Sequence, residues 1–359
     1  MTDKNHADET VLTIVQGKGT LPREQAGRNI HYDDASLSNY KMVQKGDFII
    51  HLRSFEGGLE IANENGIVSP AYTILRGKKP HSSRFYEAYF HTDEFINHVL
   101  SKSVEGIRDG RQISYEAFKW IGIPYCNPNE QEKIDELFST LSRRIEKQSA
   151  LVNSLKKYKR GLHKLVFIKN RKPSWEKSAL HDIASFCGGG TPTKDVSSYW
   201  DGEIGWISSS DIQEEWIDDI SVTRRITKKA IDNSATKLCP EGTIAIVSRV
   251  GVGKVAIIPE SLCTSQDFTN ITSITGNTHY MAYQIAFRMK LEAMKTQGTS
   301  IKGVTADTIK SMVLDIPPLE EQKKIADMLT AFDSYIKRAV YELNLFLTMK
   351  KALLQQIFI

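Results

Sequence analysis

Two stretches of the sequence repeat one pattern and decide the fold. The first is IPYCNPNEQEKIDELFSTLSRRIEKQSALVNSLKKYKRGLHKLVFI, residues 123–168, and the second is IPPLEEQKKIADMLTAFDSYIKRAVYELNLFLTMKKALLQQIFI, residues 316–359. Each begins with an Ile-Pro pair and continues with an acidic opening that contains a glutamine. Carboxylates in a first turn complement the helix dipole, so both stretches are predicted to form helices. Their proline-free lengths correspond to rods of roughly 60 Å.

The apolar residues of both stretches alternate at spacings of three and four, the pattern of a coiled-coil seam. The residues predicted to pack helix on helix are Ile134, Phe138, Leu141, Ile145, Val152, Leu155 and Leu162 in the first copy, and Ile325, Leu329, Phe332, Ile336, Leu343, Phe346 and Leu353 in the second. The polar interruptions also match, with Lys159 over Lys350. Two seams in one register predict an intramolecular two-stranded coiled coil. The alternative is that each stripe packs only on its own domain.

The repeat extends upstream of the helices. A glycine turn at Gly46 and at Gly242 is followed by an apolar stretch that ends at Arg53 and at Arg249. Such stretches are typical of short buried strands after a turn. Each half is therefore predicted to be a mixed α/β globule followed by a long helix, in an α+β fold. The predicted segments are a short or divergent first domain at 1–125, a long helix at 126–170, a second domain at 171–316 and a second long helix at 317–359.

The composition excludes some classes of function but does not identify a single one. A net charge of +4 is only mildly basic, so a nucleic-acid surface must come from local clustering of charge. No apolar run is long enough to cross a bilayer, and the polar start, Met1 to Glu9, lacks an apolar signal core. The four cysteines are far apart in sequence, without a Cys-x-x-Cys pair. These features predict a cytoplasmic protein without a membrane partner or structural zinc.

The sequence also argues against catalysis by this chain. Gly253-Lys254 resembles the end of a phosphate-binding loop, but Ser248 and Val255 stand where that loop needs a glycine and a hydroxyl residue. The sequence contains no Asp-Pro-Pro-Tyr or Asn-Pro-Pro-Phe tetrad of an adenine methyltransferase. No grouping of Ser, His and Asp can be assembled either. We therefore predict no catalytic residue and no bound metal in this chain.

With these motifs the sequence resembles the specificity subunit of type I restriction-modification systems. The resemblance is carried by Gly189–Pro192, by Trp206–Asp211, by the strand from Gly242 to Arg249, and by the two Ile-Pro helices. It implies two target-recognition domains that read the halves of a bipartite site in double-stranded DNA, separated by paired antiparallel helices. It also implies that two methyltransferase subunits and restriction/translocase subunits are partners. S-adenosylmethionine would then be bound by the methyltransferase, and no cofactor by this chain.

The first half departs from this pattern. The stretch before Lys45 is short, and the sequence offers no counterpart there of Gly189–Pro192 or of Trp206–Ser208. The expectation is that the first recognition domain is of a divergent type or is truncated.

Candidate DNA-binding residues are donors and acceptors on predicted loops and turns. They are Arg28, Arg53 and Arg111 in the first half, and Thr191, Lys194, Ser208, Ser209, Ser210, Arg224, Arg225, Arg249 and Lys254 in the second. A single charged residue is more often an ordinary solvated side chain. Arg53 and Arg249 stand out because each follows the same strand in its own copy, although an arginine can also order its own turn. The alternative function is a coiled-coil structural adaptor that does not contact DNA.

Overall fold

The computed structural model describes residues 3–26, 34–106, 111–296 and 303–358, and internal contacts divide the chain into two compact units. Unit 1 comprises Met1–Leu151 and Val340–Ile359, and unit 2 comprises Val152–Ala339. Each unit combines small sheets with helices, as the predicted α+β class requires.

Unit 1 is built on a three-stranded antiparallel sheet and three two-stranded pairs. Its elements are β1 (Leu12–Val15), β2 (Gly19–Pro22), β3 (Lys41–Val43), β4 (Phe48–Ile50), α1 (Ser54–Gly57), β5 (Glu60–Ile61), β6 (Gly66–Val68), β7 (Thr73–Leu75), α2 (Ser83–Phe90), β8 (Val104–Glu105), β9 (Gln112–Ile113) and α3 (Tyr115–Phe118), followed by the start of α4 (Pro128–Lys164). The three-stranded sheet has the order β5-β4-β7. Its core is aromatic, because Phe48, Phe90 and Phe95 pack together.

Unit 2 has two four-stranded sheets and one two-stranded pair. Its elements are β10 (Glu176–Ala179), α5 (Leu180–Ile183), β11 (Ala184–Gly188), β12 (Ile204–Ile207), β13 (Arg224–Ile226), α6 (Lys228–Asp232), β14 (Leu238–Cys239), β15 (Ile244–Val247), β16 (Val255–Ile257), β17 (Leu262–Thr264), β18 (Phe268–Ile274), α7 (Thr278–Thr296), α8 (Ala306–Lys310), β19 (Val313–Ile316) and the start of α9 (Leu319–Ile357). One sheet has the order β11-β18-β15-β16 and the other β13-β12-β17-β14. Strand β19 pairs with β10.

The two units repeat one strand register. The central strand of each unit pairs with two neighbouring strands. Equivalent residues of the two units differ by 196 in number, as Phe48 and Ile244 do. The paired residues are Phe48 with Ile61 and Leu75 in unit 1, and Ile244 with Ile257 and Ile271 in unit 2. Gly46 and Gly242 precede these strands with φ of +93° and +81°, a conformation that favours glycine. The upstream repeat predicted from the sequence is therefore present in the fold.

One expectation about the first half is wrong. Strand β12, which contains Trp206, lies parallel to β17. In unit 1, β1 lies beside β6 in the same way, through a parallel bridge between Val11 and Ile67. Unit 1 therefore has a counterpart of the Trp206–Ser208 strand. The sequence did not reveal it, because backbone pairing defines the position and the two strands share no diagnostic residue. The described part of unit 1 contains no counterpart of β10, α5 and β11.

A buried glutamine joins each long helix to its unit in the same way. Gln131 accepts a hydrogen bond from the backbone N–H of Ser82 and donates one to the carbonyl of Cys126. Gln322 accepts from the N–H of Asn277 and donates to the carbonyl of Pro317. Ser82 caps α2, and Asn277 accepts from Tyr280 N in the first turn of α7. Each glutamine therefore ties a long helix to the start of the helix packed beside it.

The two long helices pair in opposite directions. In unit 1, Lys350 Nζ lies 3.0 Å from Ser142 Oγ, and Gln148 Nε2 lies 3.1 Å from Glu342 Oε2. In unit 2, Lys159 Nζ lies 2.7 Å from Asp333 Oδ1. As the residue number along α4 rises from 142 through 148 to 159, the number of the residue that it contacts on α9 falls from 350 through 342 to 333. The pairing is antiparallel and keeps one register in both units.

All of the predicted seam residues are buried or half-buried. Phe138, Ile134 and Leu353 belong to the core of unit 1, and Leu162 and Leu329 to that of unit 2. Buried seam residues outside these two clusters are Leu141, Val152, Leu155 and Ile336. The two alternatives for the seam residues therefore occur together. The long helices pack on each other at some positions and on the core of their own unit at others.

The polar interruptions in the two seams are equivalent by the repeat but differ in chemistry. Lys159 and Asp333 form a buried ion pair, and the Tyr283 hydroxyl also donates to Asp333. Burial lowers the pKa of Lys159 and raises the pKa of Asp333, and their mutual attraction opposes both shifts. The equivalent pair, Lys350 with Ser142, has a neutral partner and is more accessible.

We predict that Lys159→Met destabilises the chain more than the matched change Lys350→Met. The first leaves the buried Asp333 carboxylate without its cation, which costs about 3–5 kcal/mol. The second removes a hydrogen bond to a hydroxyl, which costs about 0.5–1.5 kcal/mol. Urea unfolding measures both, and adding Asp333→Ser to Lys159→Met should restore most of the loss. Equal losses for the two lysines would contradict a buried ion pair at this position.

Candidate nucleic-acid interface

Several loops of unit 2 meet at one end of its two sheets. The parallel strands β12 and β17 end together, and Ser265 N donates to the carbonyl of Ile207 over 2.9 Å. Ser248, which follows β15, donates its backbone N–H to the carbonyl of Asp267. Because of these contacts the loops 189–191, 208–211, 248–254 and 265–267 lie side by side. We call these four loops the loop surface.

A tight turn at Ser208 organises the centre of the loop surface. The Asp211 carboxylate accepts from Ser208 N at 2.7 Å and from Ser208 Oγ at 3.0 Å. Arg224 pairs with the same carboxylate, donates to Ser208 Oγ, and stacks its guanidinium 4.6 Å from the centre of the Trp206 ring. Asp211 is buried, so the arginine neutralises a charge that has little access to water. Ser208 and Arg224 therefore already have partners that shape the turn.

The same holds in part for two other candidates. Lys254 donates from Nζ to the carbonyl of Ser209 at 2.8 Å, which ties the glycine turn after β15 to the Ser208 turn. The hydroxyl of Ser210 lies 2.9 Å from that of Ser208, and the Ser210 residue is exposed. Among the three predicted serines, Ser210 is the most available to an external ligand.

The glycine run before Thr191 is packed closely against the strands. A Cβ on Gly189 would lie 2.0 Å from the carbonyl oxygen of Ser265, and one on Gly190 would lie 2.3 Å from Thr236 N. The Trp206 indole donates to the carbonyl of Gly190 at 3.0 Å. This loop therefore needs glycine because of close approach to the neighbouring backbone. Thr191 follows this glycine loop, and its hydroxyl donates to the Gln266 side chain.

Arg249 lines a cavity of about 610 Å³ beside the loop surface. The arginine is exposed, and the cavity is also lined by Gly188, Gln266, Thr305 and Lys310. Two cations, an amide and a hydroxyl thus face one concave site, which suits phosphate oxygens and base edges. Sequence reasoning missed Gln266 and Lys310. Gln266 follows a strand that is parallel to β12, and that pairing was invisible in the sequence.

Two candidates of unit 2 lie apart from this cluster. Arg225 donates from NH1 to the carbonyl of Glu203 at 2.6 Å, at the start of the β12–β13 pair. Lys194 is exposed in the loop after Thr191, next to Thr193, whose carbonyl accepts from the Trp200 indole.

In unit 1, Arg53 follows β4 as Arg249 follows β15. Its side chain is 75% exposed and lies 3.8 Å from the Glu56 carboxylate, a spacing at which an exposed pair contributes little. The Arg111 guanidinium lies 4.6 Å from the centre of the ring of Phe55, which is two residues after Arg53. Arg28 lies outside the described residues.

The described residues offer no group of three or more His, Cys, Asp or Glu side chains that could hold a metal ion. Two cysteines that are far apart in sequence are neighbours in unit 2, with Cys187 Sγ 3.6 Å from Cys239 Sγ. Within the same residues, none of the helices combines the length and the apolar character that a bilayer crossing needs.

Comparisons with known proteins concern mainly the part of the chain that contains the loop surface. A family described as "Type I restriction modification DNA specificity domain" matches residues 173–344. A type I restriction enzyme specificity subunit of Methanocaldococcus jannaschii is 34% identical over 167 residues, which cover 45% of this chain and 39% of that protein. One of Escherichia coli is 30% identical over 256 residues, covering 67% of this chain and 62% of that protein. Residues 173–344 therefore match a type I restriction-modification DNA specificity domain, and the chain is similar to specificity subunits over part of their length.

The match to each of these two specificity subunits spans less than two thirds of the relative's own length. The fold is shared more widely. A chain from a solved structure on "complex assembly" and "conformational transition" of "the type I R-M system" superposes with a TM-score of 0.60 at 14% identity, covering 100% of this chain and 94% of that chain. The expected α+β fold, with two mixed α/β units and two long helices, is thereby confirmed.

The family match places the loop surface inside the specificity domain. Residues 173–344 contain the Ser208 turn, the glycine loop, Arg249 and Gln266. The candidate residues of unit 1 lie outside this match, and among them only Arg53 has a repeat equivalent in unit 2.

We predict that Arg224→Ala loosens the Ser208 turn of the specificity domain while Arg225→Ala does not. The first change leaves the buried Asp211 carboxylate without its cation, at a cost of about 1–3 kcal/mol. The second affects an exposed side chain, where changes stay within about 0.5 kcal/mol. Urea unfolding and amide hydrogen exchange at Ser208–Asp211 measure both effects. Similar values for the two variants would show that Arg224 has no structural role.

Proposed function

We propose that this chain is the DNA-reading subunit of a type I restriction-modification complex and recognises a bipartite site in double-stranded DNA. The observation that carries the proposal is the repeat of one arginine at one fold position. Arg53 and Arg249 each follow the central strand of a unit, and the two strands share their register. A duplicated reading position is the expected property of a protein that reads two half-sites.

Unit 2 supports the proposal through the chemistry of its loop surface. Arg249 and Lys310 supply positive charge, and Gln266 supplies an amide that can both donate and accept. A bidentate arginine contact to guanine discriminates between bases, whereas a lysine contact to phosphate adds affinity without sequence information. We therefore assign base reading to Arg249 and Gln266, and phosphate binding to Lys310. Ser210, Thr191 and Lys194 are proposed to add contacts at the edge.

The long helices are proposed to fix the separation of the two reading surfaces. Their antiparallel register is held by the buried pair of Lys159 and Asp333 and by the contacts of Ser142 and Gln148. Such a pair has a defined length, because every added residue lengthens a helix by 1.5 Å. Geometry would then be the contribution of this chain to recognition.

The chemistry is proposed to belong to the partners. Two methyltransferase subunits would dock on this chain and bring S-adenosylmethionine, and restriction/translocase subunits would complete the complex. This chain would bind no cofactor itself and would act in the cytoplasm. The relatives support this assignment, because both are named as specificity subunits of restriction enzymes. Purified chain incubated with DNA and S-adenosylmethionine should accordingly transfer no methyl group.

We predict that Arg249→Ala weakens specific DNA binding by the reconstituted complex, while Arg225→Ala has less than a twofold effect. Loss of a bidentate base contact costs about 1–3 kcal/mol, or roughly 5- to 150-fold in affinity. Arg225 is a matched control of equal charge, since it lies apart from the loop surface and donates one hydrogen bond to the Glu203 carbonyl.

Titration of labelled duplex at several salt concentrations measures this, because phosphate neutralisation makes affinity fall steeply with salt. Salt-independent behaviour, or no DNA binding by the assembled complex, would favour the structural adaptor instead. Equal losses for the two arginines would remove Arg249 from its reading role.

We predict that lengthening both helices changes the permitted spacer between half-sites. Seven residues inserted after Ala150 and seven after Tyr341 add a full heptad at equivalent positions of the repeat and keep the seams in phase. The added length of about 10 Å corresponds to about three base pairs. Methylation of a library of duplexes with different spacers measures the preference. An unchanged spacer after insertion would exclude the helices as the ruler.

A further inference from the structure

Two cysteine thiols from different sheets of unit 2 lie side by side. Cys187 of β11 lies opposite Asn270 of β18, in the first four-stranded sheet. Cys239 of β14 lies opposite Leu262 of β17, in the second. The two sulfur atoms are 3.6 Å apart, although the residues are separated by 52 positions in the sequence. A disulfide bond holds its sulfur atoms about 2.0 Å apart, so a small movement of the side chains would join them.

The packing around the two thiols keeps them close. Cys239 belongs to a buried cluster formed by strands of both four-stranded sheets, and Cys187 packs against that cluster. The loop after Cys187 also touches the segment before Cys239, because a Cβ on Gly190 would lie 2.3 Å from Thr236 N. Both chain segments are therefore held at the place where the sulfur atoms meet.

The two thiols differ in their access to solutes. Cys187 is half-buried and lines the cavity of about 610 Å³ beside the loop surface, together with Arg249. Cys239 is 0% exposed. A small solute that enters the cavity therefore reaches the Cys187 sulfur before it reaches that of Cys239.

Hydrogen bonding also distinguishes the two thiols. The Cys239 thiol donates to the Cys187 sulfur, which lowers the pKa of Cys187 although burial opposes the shift, and the Asn270 side chain lowers it further. The same hydrogen bond and burial raise the pKa of Cys239. Because the thiolate is the reactive form of cysteine, Cys187 is the better nucleophile of the pair.

We propose that Cys187 and Cys239 are a site of reversible oxidation, at which a small peroxide joins the two thiols in a disulfide bond. Cys187 would be the attacking thiolate, and Cys239 would resolve the intermediate. The disulfide would link the two four-stranded sheets of unit 2 at the wall of the cavity. In a reducing compartment such a bond is transient, as it is in proteins that sense oxidants. The inference does not depend on DNA recognition.

The oxidation takes place in two steps. The Cys187 thiolate attacks one oxygen of hydrogen peroxide, the S–O bond forms and the O–O bond breaks, so the sulfur is oxidised to a sulfenic acid and the peroxide is reduced. The leaving hydroxide takes the proton of the Cys239 thiol and becomes water. The Cys239 thiolate then attacks the Cys187 sulfur, the S–S bond forms, and the S–O bond breaks. The second hydroxide leaves and is protonated by solvent, and an added dithiol reverses the reaction by thiol–disulfide exchange.

The test treats the full-length chain with a small excess of hydrogen peroxide and maps its disulfides by peptide mass spectrometry without reduction. We expect the peptide that contains Cys187 to be joined to the peptide that contains Cys239 within one chain, and dithiothreitol should separate them. In Cys239→Ser the reaction should stop at the sulfenic acid of Cys187, which dimedone traps. Cys239→Ala provides the same measurement if the serine destabilises this buried position. In Cys187→Ser neither the disulfide nor the dimedone adduct at position 187 should form.

Cys263→Ala is the matched control. Cys263 is also buried in unit 2, but it belongs to a different cluster, with Trp206. This variant should form the disulfide between Cys187 and Cys239 as fast as the parent chain does, and equal melting temperatures would show that the variants fold. In concentrated urea the disulfide should form more slowly, because unfolding separates the two strands. A folded chain without this disulfide, a disulfide between Cys239 and Cys263 in its place, or equally fast formation in urea would overturn the proposal.

Discussion

The constraint on which the rest of the structure depends is the antiparallel register of the two long helices. It is set at a buried position, where Lys159 meets Asp333, because a charge that has been removed from water tolerates no slip away from its partner. At the repeat-equivalent position Lys350 meets Ser142, so one register is held by an ion pair in unit 2 and by a hydrogen bond in unit 1. Gln131 and Gln322 then connect the start of each long helix to the start of the helix packed beside it. Helix pairing and the folding of each unit are thereby coupled.

The features that follow from periodicity were predictable from the sequence. The seam residues lie at heptad spacing, and the turns at Gly46 and Gly242 precede the two central strands, so the long helices and the duplicated fold could be predicted. Features that depend on pairing between distant segments could not be predicted. The relation of β1 to β12 rests on backbone bridges between strands of unlike sequence. The nearness of Cys187 to Cys239 likewise depends on a sheet order that no local pattern encodes.

At the candidate site, too, local sequence predicted some features and missed those that depend on tertiary contacts. Residue type identified Ser208, Arg224 and Lys254 as possible DNA contacts, but each of them forms hydrogen bonds to residues of the Ser208 turn. A short polar side chain in a turn competes for backbone and carboxylate partners, and composition cannot tell that use from ligand binding. Arg249 was identified by its repeated position, whereas Gln266 and Lys310 required the cavity itself. The repeat in sequence thus identified a residue that lines the cavity, whereas residue chemistry alone identified side chains that already have partners within the protein.

The most direct test of the antiparallel register is cysteine cross-linking between the two helices. Lys350 Nζ lies 3.0 Å from Ser142 Oγ, so cysteines placed at these two positions should be joined within one chain by a short bismaleimide linker, detected by peptide mass spectrometry. Cysteines placed at Ser142 and Asp333, which would face each other in a parallel pair because they are equivalent in the repeat, should not. Cross-linking of the second pair in preference to the first would contradict the antiparallel register and every conclusion that rests on it.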